Sequence, residues 1–142
     1  MDAAIREALA PYVPNGLIGL SCLAAGTDTV FAEAVLDLGG HLEVVLPSAD
    51  YRERKVKPDN ARRFDELVRR ASRVRTMPYA TANREAYEAA NETLLGSIDR
   101  ILAVWDGEAP ADQGGTAAVV EQARVRRLPV EVIWPNGAER VA

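Results

Sequence analysis

Short apolar runs and longer amphipathic stretches take turns along the chain. "LIGLS" (Leu17 to Ser21) is a compact apolar run between "PNG" and a glycine-containing turn, which suits a buried strand better than a helix. The period then changes: "TDTVFAEAVLDL" places Val30, Phe31, Ala34, Val35 and Leu38 on one helical face, with Thr27 or Asp28 able to cap its start and Gly39-Gly40 to stop it. "LEVVLP" (Leu42 to Pro47) is a second strand.

The alternation continues to the end. "PDNARRFDELVRRA" opens with proline and aspartate and carries Phe64, Leu67, Val68 and Ala71 at helical spacing, and "RVRTM" after it reads as a third, peripheral strand. "NREAYEAANETLLGSI" is a helix with Tyr87, Ala90, Leu94 and Leu95 inward. "RILAVWD" (Arg100 to Asp106) and "PVEVIWP" (Pro129 to Pro135) are strands flanking the helix "GTAAVVEQARVRR". Strands separated by helices imply right-handed crossovers and a parallel sheet, so the expected class is α/β: a three-layer, Rossmann-like open parallel sheet of about five strands with helices on both faces. With 142 residues and no internal repeat or low-complexity linker, residues 1–142 are read as a single domain.

Composition removes several classes of function. The formal charge is −4, and the short basic clusters in "YRERKVK" and "VRRASRVR" are interspersed with other residues, so a nucleic-acid footprint is not expected. Cys22 is the single cysteine and His41 the single histidine, too few for a disulfide or a Cys/His zinc site, so no metal is expected. No cofactor is implied either. No apolar run approaches the roughly 20 residues of a membrane span, and "MDAAIREALAPYV" is amphipathic rather than signal-like, so a cytoplasmic protein without membrane contact is expected.

In open parallel sheets the ligand crevice lies at the carboxyl ends of the strands. Two loops there, "SCLAAGTD" and "WDGEAPADQGGT", run through glycine into a helix. Such a junction offers free backbone N–H groups, no obstructing Cβ and the positive end of a helix dipole, all of which suit a phosphate or carboxylate. In the second loop Gly114 and Gly115 permit close approach and Thr116 adds a hydroxyl. The same letters are also those of a turn and a helix cap, and both readings stand at this point.

Other residues have simpler explanations beside the functional one. Trp105 and Trp134 end strands and either stack on a base or pack under helices. Cys22 is better read as a small core residue than as a nucleophile, and His41 enters a strand at the end opposite the crevice. Tyr51, Arg52 and Arg54 form either an anion grip or a polar loop.

The runs "GLSCLAAGTDTVFAEAVLDLGGHLEVVLPSADY" and "ILAVWDG…GGTAAVVEQARVRRLPVEVIWP" resemble small actinobacterial proteins of the SLOG superfamily, which includes LOG cytokinin-activating enzymes and DprA-like proteins. The resemblance implies a Rossmann-like domain that binds a nucleotide or a derivative. It places Ser21, Gly26 and Asp28 on the first loop and Gly114, Gly115 and Thr116 on a phosphate loop, with Gly107 on the ligand and Asp106 at the ribose or assisting catalysis. Asp28 also has a rival role as a first-turn acid stabilised by its own helix dipole.

Two departures shape the expectation. LOG-type enzymes carry a catalytic glutamate where this chain has Val119; Glu121 is the nearest acid, but two residues turn a helix by roughly 200°. The relatives also open with an additional, ordinarily central strand, and this sequence starts at what reads as the helix after it. Either the reading frame starts late or the sheet is completed differently, and a homodimer is the hypothesis for covering exposed edges. The expected function is therefore binding or sensing of a nucleotide-like molecule. The alternative is a nucleoside-monophosphate N-glycosidase or phosphoribohydrolase, with Asp106, Asp28 or Glu121 as the catalytic carboxylate.

Overall fold

The computed structural model describes residues 2–24, 26–104 and 116–133, with only the backbone at 116 and 117. The elements run α1 (Asp2–Leu9), a 3-10 turn (Ala10–Asn15), β1 (Ile18–Ser21), α2 (Thr27–Asp37), β2 (His41–Leu46), α3 (Tyr51–Lys55), α4 (Pro58–Arg70), β3 (Arg73–Thr76), α5 (Arg84–Leu95), β4 (Ile101–Val104), α6 (Thr116–Val125) and β5 (Val130–Ile133). All strand pairs are parallel. The fold is thus the expected Rossmann-like α/β arrangement, with one departure in the sheet. The strands form two sheets, β1-β2-β3 and β4-β5, rather than one.

Local chemistry explains most boundaries. Pro58 starts α4, where its missing N–H costs nothing. Asn83 caps α5 by accepting the Ala86 N–H at 2.9 Å. The start of α2 differs from the expected Thr27 or Asp28 cap. Gly26 stands at the cap position with φ 84° and no side-chain cap bond, while Asp28 reaches back to the Ala24 N–H at 3.2 Å. The short α3 is an addition that five residues of "YRERK" did not disclose.

Two cores share α2. Ala32 joins Leu42, Val44, Phe64 and Leu67 on one side. Ala34 and Val35 join Ile5, Leu9, Leu17 and Ile133 on the other, with Leu102 and Val104 packed against them. The amphipathic α1 therefore contributes to a core that also takes in Leu17 before β1 and Ile133 of β5. Phe64 and Leu67 are inward as expected, but α5 is rotated: Ala86, Ala90 and Leu95 are buried and Tyr87 is 38 % exposed.

The strand β1 carries the clearest deviation from its apolar sequence. Leu17 and Gly19 are buried, yet Ile18 is 54 % exposed, because no described strand lies beyond β1 on the side away from β2. The other face is tight. A Cβ at Gly19 would stand 2.6 Å from Val35 Cγ2 and 3.0 Å from Phe31 Cζ, so glycine here is what lets α2 approach the strand. Gly19→Ala is expected to cost about 1–3 kcal/mol by overpacking, read as a lower urea midpoint. An unchanged midpoint would show that α2 does not seat on β1 in this way.

Candidate functional site

The carboxyl end of β1 opens into a cavity of about 1780 Å³. Ser21, Cys22, Ala24, Thr27 and Asp28 line it from the first loop, Tyr51 and Tyr87 from α3 and α5, and Ala118 and Val119 from the first turn of α6. The two loop-to-helix junctions singled out in the sequence therefore feed one space through their helix starts.

The first loop is closed by its own side chains. Ser21 is buried, and its Oγ accepts the Leu23 N–H at 3.0 Å. Asp28 accepts from the Ala24 N–H and from the Ser21 hydroxyl, and the Thr29 hydroxyl donates to the Ala24 carbonyl at 3.3 Å. Leu23 adopts φ 56°, an uncommon conformation for a non-glycine residue, and is itself 1 % exposed. Gly26 follows at φ 84° with open space where a Cβ would stand, so it is needed for the backbone angle and leaves the start of α2 uncrowded.

Electrostatics at this end favour neutral groups. Burial raises the Asp28 pKa, against the opposing effect of the Ala24 N–H and the Ser21 hydroxyl. The residue keeps some exposure overall, so its carboxyl is the inward part. Burial, with a smaller contribution from Asp28, pushes the Cys22 thiol up to about 12. Cys22 is therefore a thiol at neutral pH, as the reading of it as a packing residue requires. Tyr51 and Tyr87 are also raised, mainly by burial, and their rings meet edge to face with centroids 6.4 Å apart.

The loop after β2 is committed to structure rather than open as an anion grip. Arg52 makes a two-pronged pair with Asp65 at 2.9 and 2.7 Å, and Tyr51 is 5 % exposed. Asp50 accepts from Ser48 Oγ at 2.7 Å and from the Ala82 N–H at 2.9 Å, tying this loop to the approach to α5. These partners are 13 and 32 residues away or in another loop, so local letters did not reveal them.

The other expected site residues divide in two. Glu121 is exposed on α6 and is not among the residues lining the cavity, whereas Val119 is. Thr116 begins α6, and Asp106, Gly107, Gly114 and Gly115 lie outside the described residues, as do Trp105 and Trp134. A residue that sequence reasoning does not bring to the site is Tyr87: its helical spacing points to the core, yet it lines the cavity and is part exposed. Among the described residues no group of three or more His, Cys, Asp and Glu is placed to hold a metal ion. Among them, too, no helix is long and apolar enough to cross a membrane.

No protein-family model matches the sequence, and no curated protein matches it. The structure is similar to that of DNA processing protein A (DprA) from Streptococcus pneumoniae, with a TM-score of 0.68 and 19 % identity. The match covers 96 % of this chain and 46 % of that one, so this chain spans less than half the length of the solved protein. At that identity the likeness establishes the fold: this chain has the Rossmann-like fold seen in DprA.

Two measurements follow from the buried end of β1. Alkylation of Cys22 is expected to stay slow through neutral pH and to accelerate only in strongly alkaline solution; a reactivity midpoint near about 8.5, the value of a free thiol, would contradict its burial. For Asp28 the folded state holds its proton more tightly than the unfolded chain does. The associated stabilisation is complete below the ordinary value of 3.8 and is lost as pH rises through the raised one. Asp28→Asn cannot ionise, so its stability relative to the parent is expected to improve between about pH 4 and pH 7. A relative stability that fell over that range would show that the ionised carboxylate is the favoured form.

Proposed function

We propose that the chain binds a nucleotide or a nucleotide-derived anion at the carboxyl end of β1. The observation that carries this reading is that the starts of α2 and α6 line the same cavity, at the strand ends where open parallel sheets take their ligands. No side chain caps α2, which leaves the N–H groups of its first turn available to an anion, and Gly26 keeps the approach clear. In this reading Ser21 and Asp28 hold the shape of the first loop, Gly26 and the α2 start meet the ligand there, and Gly107, Gly114, Gly115 and Thr116 supply the second set of contacts.

The ligand is a small molecule rather than a polynucleotide. DNA appears in the name of the solved neighbour, but this chain has a formal charge of −4, and a duplex is held chiefly by phosphate neutralisation. Binding is the function proposed, and not cleavage, because the described α6 residues that line the cavity, Ala118, Val119, Val120 and Gln122, bring no carboxylate to it.

A thermal-shift series with adenosine monophosphate, adenosine diphosphate, ribose 5-phosphate and inorganic phosphate tests this. A ligand at one hundred times its dissociation constant adds about 2.7 kcal/mol, or about 5–10 °C for a chain of this size. At least one of the nucleotides is expected to give that shift, and Gly26→Val to abolish it relative to its own ligand-free midpoint. No shift with either nucleotide at millimolar concentration would refute the reading.

A further inference from the structure

The middle strand of the first sheet carries an acid where a strand of a parallel sheet is ordinarily apolar. Glu43 stands in "HLEVVL", between β1 and β3, and lines the cavity half-buried. Arg73 is in register with it on β3, yet the two do not pair. No described residue hydrogen-bonds to or ion-pairs with the Glu43 carboxylate.

Another wall of the same cavity is α5. Arg84, Tyr87, Glu88, Asn91, Leu94 and Leu95 line it at the spacing of one helical face. Arg84 and Glu88 bond to each other at 3.1 Å, whereas the half-buried Asn91 amide has no partner among the described residues. Polar groups without protein partners on two walls of a largely apolar cavity are what a ligand with its own donors and acceptors requires.

The two groups stand at one depth. The helix α5 starts at the carboxyl ends of the strands, where Tyr87 meets Tyr51 edge to face and stands by Cys22. It ends at the amino side, where Arg100 lies 5.4 Å over the ring of Tyr12, ahead of β1. From Tyr87 to Asn91 the helix advances about 6 Å. From Cys22 back to Leu20, the residue in register with Glu43, the strand advances about 6.6 Å. Asn91 and Glu43 therefore lie one step below Tyr87, and Cys22 and Gly26 in a single loop join this pocket to the start of α2.

Tyr87 is 38 % exposed and its ring is steadied by Tyr51, so a flat heterocycle can lie against it. A carboxylate offers two acceptor oxygens side by side, and an amide offers a donor beside an acceptor. Among the nucleobases guanine matches that set: its N1–H and 2-amino group are adjacent donors for the carboxylate, and its O6 accepts from the amide. Adenine lacks the adjacent donors and the O6, and hypoxanthine lacks the 2-amino group. We infer, resting on the proposal that the anionic end of a nucleotide sits at the α2 start, that Tyr87, Asn91 and Glu43 form a base pocket that selects guanine.

Calorimetric titration of the 142-residue chain with guanosine, inosine and adenosine monophosphates and with ribose 5-phosphate tests the pocket without any substitution. Guanosine monophosphate is expected to bind about tenfold or more tightly than inosine monophosphate, which differs from it by the 2-amino group alone. Glu43→Gln should erase that preference, and Asn91→Leu should weaken the guanine and hypoxanthine forms alike, since both carry O6. Tyr87→Ala should weaken all three nucleotides by about tenfold or more. None of the three variants should change the affinity for ribose 5-phosphate, which reports on folding and on the anion end. Equal binding of guanosine and inosine monophosphates by the parent overturns the pocket, as does a preference that survives Glu43→Gln. If that binding is nonetheless lost in Gly26→Val, the anion site stands without the pocket. No binding of any of the four compounds overturns both.

Discussion

A backbone N–H or C=O inside a protein must find a partner, and β1 and β4 each turn a row of such groups toward the same cavity. Much of the molecule is arranged around that constraint. The helix α1 shares a core with Leu17 and Ile133, α2 divides its small residues between two cores, and Ile18 is exposed although it opens a mostly apolar strand. Gly19 allows α2 to close down on β1 from its packed face, so the strand is held firmly on one side and open on another.

The same cavity has two chemically different ends. At the carboxyl end of β1, Ser21, Asp28 and Thr29 close a loop through short side-chain bonds, and burial keeps Cys22 and Asp28 toward their protonated forms. Along β1 and β4 the lining is apolar, with unpaired backbone at the edges. The proposed ligand sits at the first end, where helix starts and glycine meet.

The alternation of elements was legible because period and turn chemistry are local. "LIGLS", "LEVVLP" and "RVRTM" became β1, β2 and β3, and the helix of residues 58–70 buries Phe64 and Leu67 as their spacing required. The break in the sheet was not readable from hydrophobic pattern, since an apolar run looks the same whether its edge is paired or open. Nor was the exposure of Tyr87, because Ala86 and Ala90 on the same helix compete for the inward position and being small allow closer packing. Arg52 reads locally as an anion grip because its partner, Asp65, lies 13 residues away on the next helix. Of the candidate site, the first loop follows β1 as its position after the apolar run required, but the bond from the Ala24 N–H back to Asp28 was not readable, because the same letters fit a helix cap equally well.

The central claim is that a ligand is taken at the carboxyl end of β1, apart from the apolar lining along β1 and β4. An amide-resolved NMR titration of the chain with adenosine monophosphate addresses it most directly. The account predicts shifts at Ser21, at residues 26–29 and at the first turn of α6, with Ile18, Leu102 and the α3 arginines undisturbed. Shifts centred on Arg52 and Arg54, or spread along Ile18 and Leu102 with the α2 start unmoved, would contradict it.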